Sequence, residues 1–205
     1  MAFSVSLSQT SLAAAVLASS VGTYAALSPP NISTKPIPLT GDTMRWLNLT
    51  EKSTLSATFA PLGFLALHTS SLAFTYPNIP SYLLRHGAAN GLNPDMITWS
   101  PATTIPLALI LCAGIPLRLI SYGSLGKNFT FALAEPDGLN TSGIYRYVQH
   151  PSYTGIMILV ACNLGFFMRT DGALGCWVPP AWYGFLRTLE WTVLGPLTLS
   201  LSVAM

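Results

Sequence analysis

The chain has 205 residues, 51% hydrophobic and 8% charged, with a formal net charge of +2 and a mean hydropathy of +0.51. Soluble domains carry about a quarter charged residues, so nine Lys/Arg and seven Asp/Glu do not cover a water-facing surface of this size. So small a net charge argues against a nucleic-acid partner. Three cysteines without a CxxC pair support neither a disulfide framework nor a metal site.

The composition predicts an all-α, polytopic transmembrane protein of about five spans, with the lipid bilayer as its partner and solvent. The first span covers Val5 to Leu27, uncharged and rich in Ala, Ser, Leu and Val. A cleaved signal peptide is the competing reading. No basic residue precedes the apolar run, which favours a retained helix. Further runs cover Leu55 to Phe74, Thr103 to Ile120 and Tyr153 to Met168. The last, Cys176 to Met205, is interrupted by Pro179, Pro180, Arg187, Glu190, Gly195 and Pro196.

Charge gathers in the loops. Lys35, Asp42, Arg45, Glu51 and Lys52 lie between the first two spans, and Arg85 and Asp95 between the second and third. Lys127, Glu135, Asp137 and Arg146 lie between the third and fourth, with Arg118 at the membrane edge. The positive-inside rule then sets the first and third loops in the cytosol and the N-terminus outside. The Asn-x-Ser/Thr sequons at Asn31, Asn48, Asn128 and Asn140 would face the cytosol, where they are not glycosylated.

Polar chemistry concentrates between Leu125 and Gly155, which reads LGKNFTFALAEPDGLNTSGIYRYVQHPSYTG. His150-Pro151-Ser152 reads as a helix entrance. Proline suits the first helical turn, where its missing N–H is not needed, and the residue before it is held out of the helical region. The helix that follows presents free N–H groups and a positive dipole end at the membrane surface, suited to a carboxylate or phosphate. Interfacial anchoring by Tyr and His is the alternative for the same residues. In the last span Arg187 and Glu190 stand three apart, on one helix face. Charges flanked by Leu186, Leu189 and Trp191 face a polar cavity or form a snorkelling interfacial ion pair.

The run from Gly143 to Gly155, GIYRYVQHPSYTG, resembles the isoprenylcysteine carboxyl methyltransferase signature, approximately G-[PV]-Y-x-x-x-R-H-P-S-Y-x-G. Leu125 to Phe131 and Leu139 to Gly143 are similar to that family's entry to its cofactor loop. The resemblance extends over roughly Arg118 to Glu190. It divides the chain into N-terminal spans and loops, 1–117, and a methyltransferase-like region with a C-terminal helical hairpin, 118–205. What it implies is a multi-pass enzyme of the endoplasmic reticulum membrane using S-adenosyl-L-methionine, with a cofactor-binding loop between spans three and four. The acceptor implied is the free carboxylate of a prenylated cysteine, on a protein C-terminus or a small prenylcysteine-like molecule. Carried over by motif, Asp137, Gly138, Leu139, Asn140, Tyr145, His150, Pro151, Ser152 and Tyr153 are expected around the cofactor. Arg187 is expected on the acceptor carboxylate, as the catalytic and substrate-binding residue, and Glu190 on the cofactor.

Several positions depart from the pattern. Gln149 stands where the signature has arginine, Ile144 where proline is frequent, Asp137-Gly138 where a His-bearing pair is usual, and Ala134 near a polar contact. Trp191 follows the acid where the family continues with a second acid and a charged tail, which reads as a truncated or diverged member. Two other functions remain open at this point: a related membrane methyltransferase for a phospholipid or small lipophilic acceptor, and a non-catalytic membrane paralogue.

Overall fold

A computed structural model describes residues 6–28, 52–126 and 143–203, with side chains described up to residue 192 in the last segment. Helix α1, Leu7–Leu27, starts at a capping box in which the Ser6 hydroxyl accepts from Gln9 N–H and the Gln9 side chain accepts from Ser6 N–H. These contacts satisfy two donors at a helix start that would otherwise lack partners. Helix α2, Lys52–Thr75, carries Pro61 in its interior. It runs antiparallel to α1: the Tyr24 and Ser56 hydroxyls meet at 3.1 Å, and the Ser70 hydroxyl donates to the Ala13 carbonyl at 2.7 Å. Between these ties Leu12, Val16, Leu62, Leu65 and Ala66 are buried together.

A short helix α3, Ser81–Leu84, and a 3-10 turn, Pro94–Met96, lead to α4, Pro101–Leu109. Ser100 caps α4 and Pro101 opens it. The helix passes through a π turn, Ile110–Gly114, into α5, Ile115–Leu125. The wider turn lies just ahead of Pro116, whose ring nitrogen has no N–H to close an α turn. Helix α6, Pro151–Phe167, packs on α4, the π turn and α5. Asn163 ties it to α1, donating from one amide group to Thr23 at 3.2 Å and to the Leu159 carbonyl at 2.7 Å. Helix α7 spans Pro180–Val203.

Among the described residues three helices are long and apolar enough to cross a membrane: Leu7–Leu27, Ser53–Thr75 and Pro94–Leu125; α6 is a shorter apolar helix. This is the architecture of a polytopic helical membrane protein. The third run is longer than the expected Thr103 to Ile120, because the Ser100 cap and the preceding turn continue the helical path.

Two ends follow from the antiparallel order. The C-terminal ends of α1 and α5 and the N-terminal ends of α2 and α6 lie together, so Ser28 and Gly126 stand on one side. Gly126, φ 52°, closes α5, and Gly143, φ 61°, opens the next described segment; glycine takes this left-handed backbone without steric strain. The opposite end is clamped by Asn90, which donates to the Gly175 and Val178 carbonyls, both at 2.8 Å. Arg85 lies there over the Trp177 ring, 3.8 Å from its centre.

Candidate functional site

At the first end, four elements converge on one arginine. Arg118 is 2% exposed although it lies in the third spanning run, Pro94–Leu125. Its Nε donates to the Ala26 carbonyl at 3.2 Å, and its Nη1 donates to the Ser152 hydroxyl. The Tyr122 hydroxyl donates to the same Ala26 carbonyl, and the guanidinium carbon lies 4.7 Å from the Tyr122 ring centre. A helix ends with four carbonyls that have no partner within it. Here α5 supplies donors to one at the end of α1, and a cation beside a helix C-terminus also suits its negative dipole end. Arg118 and Tyr122 are four apart, so one face of α5 carries both.

The 3-10 turn Gly143–Arg146 brings Tyr145 against this face, where it hydrogen-bonds with the Ser121 side chain. Burial pushes the Tyr145 phenol up from its ordinary value, and the Ser121 bond and the Arg118 charge pull it partly back. The phenol is therefore neutral at physiological pH.

His150 precedes α6 with φ −132° and ψ 63°, and its side chain makes no capping bond. The first-turn N–H groups of α6 thus have no side-chain cap from this residue. His150 is exposed and meets the exposed Tyr153 ring edge to face, 5.9 Å between centres. Pro151 is buried and Ser152 half-buried. Helix α6 comes this close to α5 because Gly155 faces it: a Cβ there would stand 3.1 Å from the Gly114 carbonyl oxygen and 3.2 Å from the Arg118 nitrogen.

The structure therefore brings together Tyr145, His150, Pro151, Ser152 and Tyr153. Asp137, Gly138, Leu139 and Asn140 lie outside the described residues. Arg187 and Glu190 lie elsewhere. The Glu190 carboxylate accepts from the Thr170 N–H at 2.9 Å and from the Thr170 hydroxyl, and Thr170 follows the C-terminal end of α6. Seventeen helical residues at about 1.5 Å each span roughly 25 Å, so Glu190 stands a helix length from Ser152. Arg187 is exposed on α7. The ion pair at this end, among the described residues, is Arg169–Asp171 at 2.7 Å, and Glu190 bonds to Thr170 instead of pairing with Arg187. No group of three His, Cys, Asp or Glu side chains suited to a metal ion occurs among the described residues.

Arg118 is the residue that sequence reasoning set at the membrane edge without a role. The available signal was a lone cation inside an apolar run, which is costly in lipid unless it has partners.

Residues 107–174 match the model of the Isoprenylcysteine carboxyl methyltransferase (ICMT) family. This segment is similar to that family. It covers about a third of the chain, from within α4 through α5 and α6 to the turn beyond, and so contains Arg118, Tyr145 and the HPSY turn. The ICMT match leaves out α1, α2 and α7, and with them Ala26, Arg187 and Glu190. Comparison with curated proteins and with solved structures finds no match. What this segment is similar to, at family level, is a membrane methyltransferase of the isoprenylcysteine type.

Proposed function

We propose that this protein moves a methyl group from S-adenosyl-L-methionine to the carboxylate of a prenylated cysteine, at the endoplasmic reticulum membrane. The observation that carries the reading is the polar cluster of buried Arg118 with half-buried Ser152 and Tyr145 at the entrance of α6, inside the ICMT segment. An apolar helical bundle keeps such a cluster where a polar ligand is handled.

The residues fit the cofactor. Its amino-acid carboxylate suits the first-turn N–H groups of α6, which His150 leaves without a side-chain cap, and the positive end of the helix dipole. The exposed Tyr153 ring and the half-buried Tyr145 ring offer aromatic faces to an adenine ring or a sulfonium cation. When bound, the cofactor supplies an electrophilic methyl group.

The chain's residues have little proton chemistry to perform. A C-terminal carboxylate is ionised at neutral pH, so it attacks without a general base, and the neutral Tyr145 does not compete as a nucleophile. What remains is alignment and exclusion of water. Asp137, Gly138, Leu139 and Asn140 are proposed to contact the cofactor. Arg187 is proposed to hold the acceptor carboxylate with paired N–H donors, and Glu190 to contact the cofactor. Both need α7 to approach the α6 entrance more closely than the Thr170–Glu190 contact allows.

The test uses membranes containing the full chain, labelled S-adenosyl-L-methionine and a farnesylcysteine analogue. The expected product is a base-labile carboxyl methyl ester, lost in Arg187→Ala. Label appearing only on a phospholipid or a small acceptor would move the substrate class. Activity persisting in Arg187→Ala would remove α7 from the site and leave the α6 entrance as the place of binding.

A further inference from the structure

We infer that Arg118 is a positioning residue that locks the first turn of α6 to the end of α1 and sets the direction of the Ser152 hydroxyl. The inference rests on the proposed methyl-transfer reading for its functional consequence and on geometry alone for the lock itself.

One guanidinium reaches two helices. Nε holds the Ala26 carbonyl at 3.2 Å and Nη1 holds Ser152. The planar fork of arginine makes both contacts at once in fixed directions, which a lysine ammonium on a flexible stem does not reproduce. Tyr122 donates to the same carbonyl and lies under the same cation, so the side chain is boxed in on a second side.

A serine hydroxyl has one donor and two acceptor sites. With Arg118 donating to the Ser152 oxygen, the remaining O–H is directed away from Arg118, at a helix entrance where His150 and Tyr153 are exposed. Arg118 thus makes Ser152 a donor toward an acceptor atom bound at the entrance of α6. It also makes a span outside the ICMT segment, α1, part of the frame that holds the HPSY turn.

The lock is tested by a double-mutant cycle on the full chain in detergent, with Arg118→Gln, Ser152→Ala and both, reading thermal unfolding and amide exchange of residues 150–154. The expected result is non-additivity: the double variant unfolds within error of Arg118→Gln alone, and exchange at 150–154 speeds up about tenfold in both, the size of one lost charged hydrogen bond. Additive midpoints, or unchanged exchange at 150–154, overturn the lock. Arg118→Lys keeps the charge and covers the case in which Arg118→Gln does not fold. It is expected to raise KM for S-adenosyl-L-methionine about tenfold with kcat within about twofold. A fall in kcat at constant KM would mean only less folded enzyme and would overturn the positioning role. A wild-type protein that transfers no methyl group would defeat the functional reading, while the cycle still decides the lock.

Discussion

Gly155 on α6 faces the Gly114 carbonyl so closely that a Cβ would stand 3.1 Å from its oxygen. The contact is between backbones, so the strain of a larger residue falls on the spacing of α5 and α6 and not on a mobile side chain. Small residues allow this approach between membrane helices. Gly155→Val is expected to destabilise by about 2 kcal/mol or more through overpacking. Gly155→Ala is expected to fall closer to neutral, because alanine favours a helix by about 1 kcal/mol over glycine. Thermal unfolding in detergent, followed by helical circular dichroism, measures both. A valine variant as stable as wild type would refute the close crossing.

The Arg169–Asp171 pair gives a pH dependence with a definite sign. Burial alone would push the Asp171 carboxyl up, but the two Arg169 hydrogen bonds at 2.8 and 2.7 Å, its charge and Asn93 outweigh it and hold the group below 3.8. A depressed carboxyl contributes stability above its ordinary value and loses it as pH falls through the folded-state value. Asp171→Asn is therefore expected to destabilise by about 1 kcal/mol at pH 7, discounted for a partly exposed pair. The gap to wild type should hold from pH 7 to about 5 and narrow below about 4. Unfolding midpoints of the two proteins across that range check it, and a gap widening in acid would contradict the sign.

Cys176 is fully buried, and burial pushes its thiol up to about 11. At pH 7.5 its reactive thiolate is then well under about 1% of the population. In a Cys112→Ser, Cys162→Ser background, a maleimide is expected to leave Cys176 unlabelled until the protein is unfolded. Rapid labelling of the folded protein would show that the Asn90 clamp is open.

The two α7 charges should separate by stability. Arg187 is exposed, so Arg187→Ala is expected to change stability by less than about 0.5 kcal/mol, and any lost methyl transfer is then chemical. Glu190→Ala leaves the buried Thr170 N–H without its acceptor, at a cost of about 1–3 kcal/mol. Glu190→Gln keeps an acceptor oxygen and should retain most of that stability. Equal midpoints for the alanine and glutamine variants would remove the clasp.

The helix entrance at Pro151 was legible because its cause is local. Proline fixes its own φ and restrains His150, and the structure has His150 outside the helical region and α6 beginning at Pro151. The apolar runs were legible for the same reason, since a span is a property of consecutive residues. Arg118 was not. Its partners are 92 and 34 positions away, and no local pattern separates an arginine snorkelling at the membrane edge from one folded inward onto two helix ends. The Arg187–Glu190 spacing was read correctly as one helix face, but a shared face does not choose the neighbour, and Glu190 took Thr170.

By itself, then, the sequence determined a membrane-embedded helical protein with an ICMT signature. Lipid forces backbone groups to bond within their own segment, and that requirement is written residue by residue. The tertiary structure alone decided which helix ends meet, and hence that the end of α1, Arg118 and Ser152 form one cluster. That choice depends on how closely α5 and α6 can approach across Gly114 and Gly155, a quantity that belongs to pairs of helices and to neither sequence segment alone.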